Sequence, residues 1–445
     1  MFSELVELAW PIAAAMLGET ALGLVDTKIV GGLGAAALGG VGMATTLMYL
    51  LYALAFGTMR AVKVRTSHAV GEGAPHKGFA YGRAGVALGL GFGLLVSLAM
   101  RDTAPLLRLV GADPSVVPYA TEFLRAVSYG APATCAVAAL IQHRQAKGDV
   151  RLTMVVGIGG NVVNATLAYL LVYGKLGLPR LGVAGAGYAT ATTEVLELAV
   201  LLTLFVLEER RSKASGLSFR EALSEVASLG IPTGVQFAGE LLAFSTFTAI
   251  VGSLGAGEIA AHQIALATIR VSFLPGIAVS EATSVLVGRS LGEKRVDRAD
   301  RATHAGLFTG MAFMAVCGVG FALFAGPIAR FFTPDAAVSA IATRLLWVAA
   351  VFQLFDAVNI VLRGALRGAK DVSGVAVIGI SVTWACIPTA AYVLGKHMGM
   401  GALGGWMGFL AETSLGAGLF WLRWRRGAFR TLATQPSVGS VGPKT

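Results

Sequence analysis

Residues 11–34, PIAAAMLGETALGLVDTKIVGGLG, and residues 232–255, PTGVQFAGELLAFSTFTAIVGSLG, repeat one pattern at an offset of 221. Both begin at a proline, Pro11 or Pro232. Both carry Gly-Glu seven residues later and close on I-V-G-x-L-G. Each is a mainly apolar run longer than the roughly 20 residues that a membrane-crossing helix needs. The register continues outward, with Ala84-Gly85 matching Ala305-Gly306. At an offset of 222, Asp113 matches Asp335, Ala120-Thr121 matches Ala342-Thr343, and Asp149 matches Asp371. Further apolar runs fall at 8–33, 42–62, 80–100, 115–141, 152–174 and 182–207. The second copy has runs at 229–253, 259–287, 304–331, 337–363, 373–395 and 401–423. The expected fold class is an all-α integral membrane protein of twelve transmembrane helices in two pseudo-twofold-related six-helix lobes. Six spans per copy give both copies the same orientation, so the expected symmetry axis lies along the membrane normal with a midplane site between the lobes.

Composition supports the bilayer as solvent. The chain is 55% hydrophobic and only 13% charged, against about 25% charged in soluble domains. Its mean hydropathy is +0.72. The long apolar runs do not alternate, which argues against a membrane β-barrel. The expected organisation is an N-lobe at 1–207, a cytoplasmic inter-lobe linker at 208–228, a C-lobe at 229–426 and a disordered cytoplasmic tail at 427–445. Within the linker, Ser218-x-x-Glu221 reads as a capping box opening a short interfacial helix. Acids in MFSELVELAWP stand where a secretory leader has bases, so the first span is expected to be retained.

Of the 35 Lys and Arg residues, 25 fall in loops and the tail on one side of the twelve-span reading, and seven on the other. The positive-inside rule makes that side, with both termini, cytoplasmic at the cell (inner) membrane. The net charge of +10 is then topology and contact with anionic lipid, and nucleic acid is not an expected partner. Cys135, Cys317 and Cys386 lie in separate apolar runs and form no metal-ligand or disulfide pattern. The sequence has no G-x-x-x-x-G-K-[ST] loop and no H-E-x-x-H, and its six histidines do not cluster. The Gly-rich GLGFG at 89–93 reads as a packing surface. No enzyme, no cofactor and no dedicated metal site are expected.

Acids inside apolar spans carry the functional reading, because each costs about 2.5–3.5 kcal/mol to insert near the bilayer centre. They are Glu19, Asp26, Glu194, Glu197, Glu240, Glu281, Asp356 and Glu412. Glu281 and Glu412 are expected to pair with a nearby Lys or Arg or to snorkel to the interface. For Asp26, Glu240 and Asp356 the functional reading is preferred. Glu194 and Glu197, an i,i+3 pair, support either reading, and Thr193 stands beside them. Glu19 and Asp26 share a helix face two turns apart. Glu240 is the repeat-mate of Glu19, whereas Phe247 is the mate of Asp26 and Thr134 the mate of Asp356. Lys28 is expected to snorkel. Asn161 and Asn164 in the fifth span offer oxygens to such a site or hydrogen bonds between helices. Burial disfavours the charged form of a carboxyl, so an interior acid takes up and releases a proton near neutral pH. An ionised one, with other oxygens, holds a monovalent cation or pairs with a cationic organic substrate.

GLVDTKIVGGLGAAALGGVGMAT at 23–45 resembles the first-span motif of multidrug and toxic compound extrusion (MATE) transporters. GSLGAGEIAAHQIALAT at 252–268, FQLFDAVNIVLRGALRGAKD at 352–371 and LGVAGAGYATATT at 181–193 resemble that family's seventh-to-eighth, tenth and sixth span motifs. The resemblance covers nearly the whole chain except the tail, and its acids are similar to those of the NorM branch. It implies twelve helices in two lobes around a central cleft, exporting drugs in exchange for protons or sodium ions. It makes Asp26, Glu240 and Asp356 the first-, seventh- and tenth-span acids, and Asn164 the polar partner of the first. Sodium would sit at Asp26/Asn164 or Glu240/Asp356. Ala168 stands where a second polar residue is common, which tilts the expectation toward protons. Expected partners are small organic cations or amphiphiles, the coupling ion and the lipid bilayer, with the chain a monomer. The alternative is a flippase for a lipid-linked glycan, whose pyrophosphate would call for a cationic cleft.

Overall fold

The computed structural model describes residues 1–109, 111–212 and 216–427. The tail expected to be disordered lies, from 428 on, outside the described residues. Each expected span is helical, the one at 115–141 as two helices. The order is α1 (Phe2–Gly31), α2 (Ala35–Gly71), α3 (Lys77–Arg101), α4 (Ala104–Leu109), α5 (Val117–Val127), α6 (Ala131–Lys147), α7 (Val150–Tyr173) and α8 (Gly182–Arg211). It continues with α9 (Phe219–Gly252), α10 (Ala256–Gly292), α11 (Val296–Phe332), α12 (Ala336–Gly368), α13 (Val372–Ala390) and α14 (Ala402–Arg426). A π-helical turn, Ala391–His397, extends α13.

Ten of these helices are long and apolar enough to cross a membrane, or eleven when α5 and α6 count as one span bent by 57°. The bend has a local cause. Gly130 packs against the backbone of Ala191, and Pro132 follows it in the first turn of α6. The twelfth long helix, α14, has 25 residues, but its glycines, Glu412 and terminal arginines dilute its hydropathy. Pro11 and Pro232 lie inside α1 and α9, which membrane helices tolerate.

The interfacial helix expected after Ser218 is not a separate element. The capping box forms, with the Glu221 amide donating to Ser218 Oγ at 3.2 Å and the Ser218 amide donating to Glu221 Oε2 at 3.0 Å. The helix it opens then runs unbroken to Gly252, because no breaker intervenes before the membrane segment. Residues 208–211 likewise finish α8, so only the short stretch between Arg211 and Phe219 joins the two helices.

The chain resolves into two compact units. One holds Trp10–Thr66 and Ala74–Leu242; the other holds Met1–Ala9, Ser67–Gly73 and the chain from Ala243 on. Their edges differ from the sequence halves for packing reasons. In the first unit α2 and α9 cross at glycines, and a Cβ on Gly57 would lie 2.5 Å from the Gly234 Cα. Small residues let membrane helices approach this closely. In the second unit the end of α2 packs on α10, where a Cβ on Gly71 would meet the Arg289 backbone, and His68 Nε2 lies 2.8 Å from the Gly368 carbonyl oxygen.

The core of the first unit gathers Val30, Tyr52, Leu124, Val127 and Val172. That of the second gathers Phe247, Ile269, Leu345, Phe352 and Trp406. The Glu258-to-His262 part of the quoted motif is structural. Glu258 Oε2 accepts the Ala402 amide at 2.6 Å, satisfying a free N–H at the start of α14. One turn on, buried His262 accepts at Nδ1 from the Trp406 indole at 3.1 Å. The two side chains fix α14 onto α10.

Candidate functional site

In the first unit a polar seam runs along α1, α7 and α8. The Tyr173 hydroxyl donates to the Ile29 carbonyl at 2.7 Å, and Asn161 packs on Gly18, so α7 lies alongside α1 at both ends of the stretch holding Asp26. Asp26 is half-buried, and its Oδ1 has no hydrogen-bond partner among the described residues. Asn164 is 4% exposed. Its Nδ2 donates to Thr190 on α8 at 3.2 Å, while its Oδ1 has no partner. No hydrogen bond joins Asp26 to Asn164 among the described residues. Further along the seam, Glu197 covers Gly160 of α7, and Glu19, Glu194 and Glu197 stand within electrostatic reach of one another. Thr193 is buried on the same helix, with its hydroxyl unsatisfied. Lys28 is exposed in the last turn of α1.

Glu240 also belongs to the first unit. It accepts a hydrogen bond from Gln236 Nε2 at 2.9 Å, one turn back on α9. Arg60 of α2 stands 5.2 Å over the Phe237 ring and within electrostatic reach of Glu240. Arg60 was expected in a loop, but α2 continues as helix to Gly71 and carries it into the bundle. Glu240 is therefore an acid with a cation in attendance, unlike Asp26.

The second unit concentrates its polarity on one face of α12. Gln353, Asp356 and Asn359 recur every three residues and are all buried, Asp356 with 4% exposure. Gln353 Oε1, Asp356 Oδ2 and Asn359 Oδ1 each lack a hydrogen-bond partner among the described residues. Arg363, the next polar residue on that face, is held by Glu412 of α14 at 2.9 Å, and Thr383 of α13 also donates to Glu412. Glu412 is thus locally neutralised, and Asp356 keeps its unsatisfied oxygen although Arg363 and Glu412 both act on it electrostatically.

The structure brings Glu19, Asp26, Asn161, Asn164, Thr193, Glu194 and Glu197 onto one set of helices. It divides Glu240 and Asp356 between the two units. Sequence reasoning missed Tyr52, Arg60, Gln353 and Asn359. The last two were legible as a three-residue polar stripe with Asp356 in an apolar run. Arg60 sat at the edge of a run and was assigned outward. Nothing in the sequence set Tyr52 apart from other aromatic residues.

Long apolar helices whose buried polar faces offer acids and unsatisfied amide oxygens define a multi-pass membrane transporter. The MatE family model matches residues 11–170 and again 232–392, and the chain belongs to that family, whose members are transporters and not enzymes. The two matches begin 221 residues apart, as the internal repeat does. The chain is 32% identical over 433 residues to the probable multidrug resistance protein NorM of Xanthomonas campestris, covering 96% of this chain and 94% of that protein. It is 29% identical over 436 residues to the multidrug resistance protein NorM of Vibrio cholerae, covering 95% of each. In fold it matches a eukaryotic MATE transporter with a TM-score of 0.87 at 19% identity, over 97% of both chains. A MATE transporter of Vibrio cholerae gives 0.88 at 19% identity, again over 97% of both.

Proposed function

We propose that this chain is a secondary active multidrug exporter that expels amphipathic, mainly cationic organic compounds in exchange for protons by alternating access. The relatives named multidrug resistance proteins support the class of cargo. The observation that carries the coupling is Asp356, a buried carboxylate with an unsatisfied oxygen, while Arg363, the guanidinium that acts on it, is engaged by Glu412. Such an acid is too costly to leave ionised and alone in a membrane bundle. It is either protonated or paired with a cation, and exchange of one state for the other couples proton entry to drug exit. Asp26 in the first unit is similar, with an enclosed, unpartnered oxygen.

Protons are preferred to sodium because a sodium ion needs several converging oxygens. Asp26 and Asn164 supply two unsatisfied ones, and Ala168 contributes none a turn later. The chain works as a monomer in the cell (inner) membrane with both termini cytoplasmic. The test is ethidium efflux from proteoliposomes under an imposed pH gradient or an imposed sodium gradient, applied separately. The pH gradient alone should drive efflux, and Asp356→Asn should reduce it to the protein-free background. Undiminished efflux by both Asp356→Asn and Glu240→Gln would overturn the assignment.

A further inference from the structure

Three crossings from the amino terminus, at the opposite membrane face, two arginines of the first unit meet with no acid between them. Arg101 closes α3, and Arg125 sits in the last turn of α5. Arg125 Nε donates to the Arg101 carbonyl oxygen at 3.3 Å, which carries its guanidinium out of the apolar run at 115–141 to the level where α3 ends. At the bend between α5 and α6, Tyr129 lies under the Arg101 guanidinium, whose carbon is 5.7 Å from the ring centroid. Tyr188 of α8 stacks on Tyr129 at 6.1 Å. These contacts gather both cations and both rings in one corner. Among the described residues neither arginine makes a salt bridge, although Asp102 and Glu122 are close in sequence. Like charges held together repel, and an anion seated between them relieves that repulsion.

The surroundings of the corner identify the anion. Both arginines are exposed, as are Tyr129 and Tyr188, at 58% and 38%. Behind Arg101, on the same face of α3, Leu98, Leu94 and Leu90 recur every four residues and are exposed too. A cargo cavity would enclose such residues, whereas an apolar strip open along its length faces acyl chains. Paired arginines, then exposed aromatic rings, then an apolar strip follow the order of a phospholipid: headgroup, interface and hydrocarbon. The planar fork of arginine grips phosphate oxygens two at a time. Among the described residues Arg125 commits only Nε, and the Arg101 side chain makes no hydrogen bond, so donors remain on both.

We propose that this corner binds one anionic phospholipid, whose phosphate bridges Arg101 and Arg125 and whose acyl chains lie along α3. The phosphate ties the end of α3 to the bend between α5 and α6, so occupancy steadies that bend. The source is a lipid, because the donors are continuous with an exposed apolar strip that a water-soluble phosphate would leave bare.

The test is native mass spectrometry of the purified full-length protein titrated with phosphatidylglycerol or phosphatidylcholine, which share the phosphate and differ in net charge. The first phosphatidylglycerol should bind about tenfold more tightly than phosphatidylcholine. Arg101→Gln and Arg125→Gln should each remove most of that preference. Arg330→Gln, at an exposed arginine in the last turn of α11, should leave it unchanged. Phosphatidylglycerol should also raise the melting temperature of the unaltered protein more than that of the Arg101→Gln/Arg125→Gln double variant. Equal affinity for the two lipids, equal losses in Arg330→Gln and the other two variants, or equal stabilisation of the double variant would overturn the proposal. Displacement of the lipid by soluble glycerol phosphate would make this a site for aqueous phosphate and overturn the lipid assignment. Should a variant not yield monodisperse protein, the comparison of the two lipids on the unaltered protein decides.

Discussion

Glu412 and Arg363 meet at 2.9 Å with side chains 6% and 13% exposed, and their pairing decides how Asp356 behaves. Removing one partner of a buried ion pair leaves the other charge uncompensated, at a cost of about 3–5 kcal/mol. Glu412→Ala should therefore sharply lower the melting temperature of the purified protein and its monodisperse fraction. Glu412→Gln keeps an oxygen for Thr383 and should lose less. The informative consequence is in transport. With Glu412 neutral, Arg363 is released toward Asp356, seven residues and two turns back on the same helix face, and an arginine beside Asp356 holds it ionised. Proton-driven ethidium efflux by Glu412→Gln should fall at least about tenfold while the fold survives, and unchanged efflux would show that Arg363 does not reach Asp356. At this scale the sequence was informative wherever an acid interrupted an apolar run, because insertion cost marks such a residue on its own. It was silent on Tyr52, whose buried hydroxyl lies near Thr134 and Glu194 on two other helices. It also misplaced Arg60, because hydropathy cannot distinguish the last turns of a long helix from a loop.

Among the elements, the crossing of α2 and α9 depends most on the absence of side chains. A Cβ on Gly57 would sit 2.5 Å from the Gly234 Cα and 2.8 Å from the Thr233 carbonyl oxygen, both backbone atoms with no freedom to rotate aside. Gly57→Val should force the helices apart and lose most of the folded protein, read as the monodisperse fraction after detergent extraction. Gly91→Val, at a position with nothing within 4 Å of its Cβ, should cost far less. Equal losses at the two positions would mean that the crossing is not tight. The spans themselves were legible because each needs about 20 apolar residues whatever packs around it. The crossing was not, since a glycine in an apolar run looks the same whether it faces lipid or another backbone. The same limit hid the bend between α5 and α6, and it hid the continuity of α9 through its polar first turns.

For the molecule as a whole, duplication was the most legible property, because matched residues recur in register across each half. The family matches at 11–170 and 232–392 carry the same offset. The compact units nonetheless take the end of α2 away from the first copy and most of α9, up to Leu242, away from the second, a consequence of side-chain contacts that no repeat alignment contains. Orientation is the property of the whole chain that the charge distribution argues and that labelling settles. Within the first unit, Arg65 pairs with Glu225, Arg83 with Glu209, and Arg144 with both Asp149 and Glu208. Within the second, Arg298 pairs with Glu293 and Arg423 with Asp371. All these arginines come from the side counted as cytoplasmic, so pairing leaves only part of that side's positive excess to act during insertion. The sequence places 25 of 35 cationic residues there, and moving Arg60 and Arg363 into the helices still leaves the excess on that side. In a background with Cys135, Cys317 and Cys386 replaced, a single cysteine at Leu178→Cys, in the turn before α8, should react with an impermeant maleimide in intact cells. One at Arg295→Cys, exposed before α11, should react only after permeabilisation, with a contrast of about tenfold in each case. The opposite pattern would place both termini outside and reverse the direction in which Asp356 must take up and release its proton.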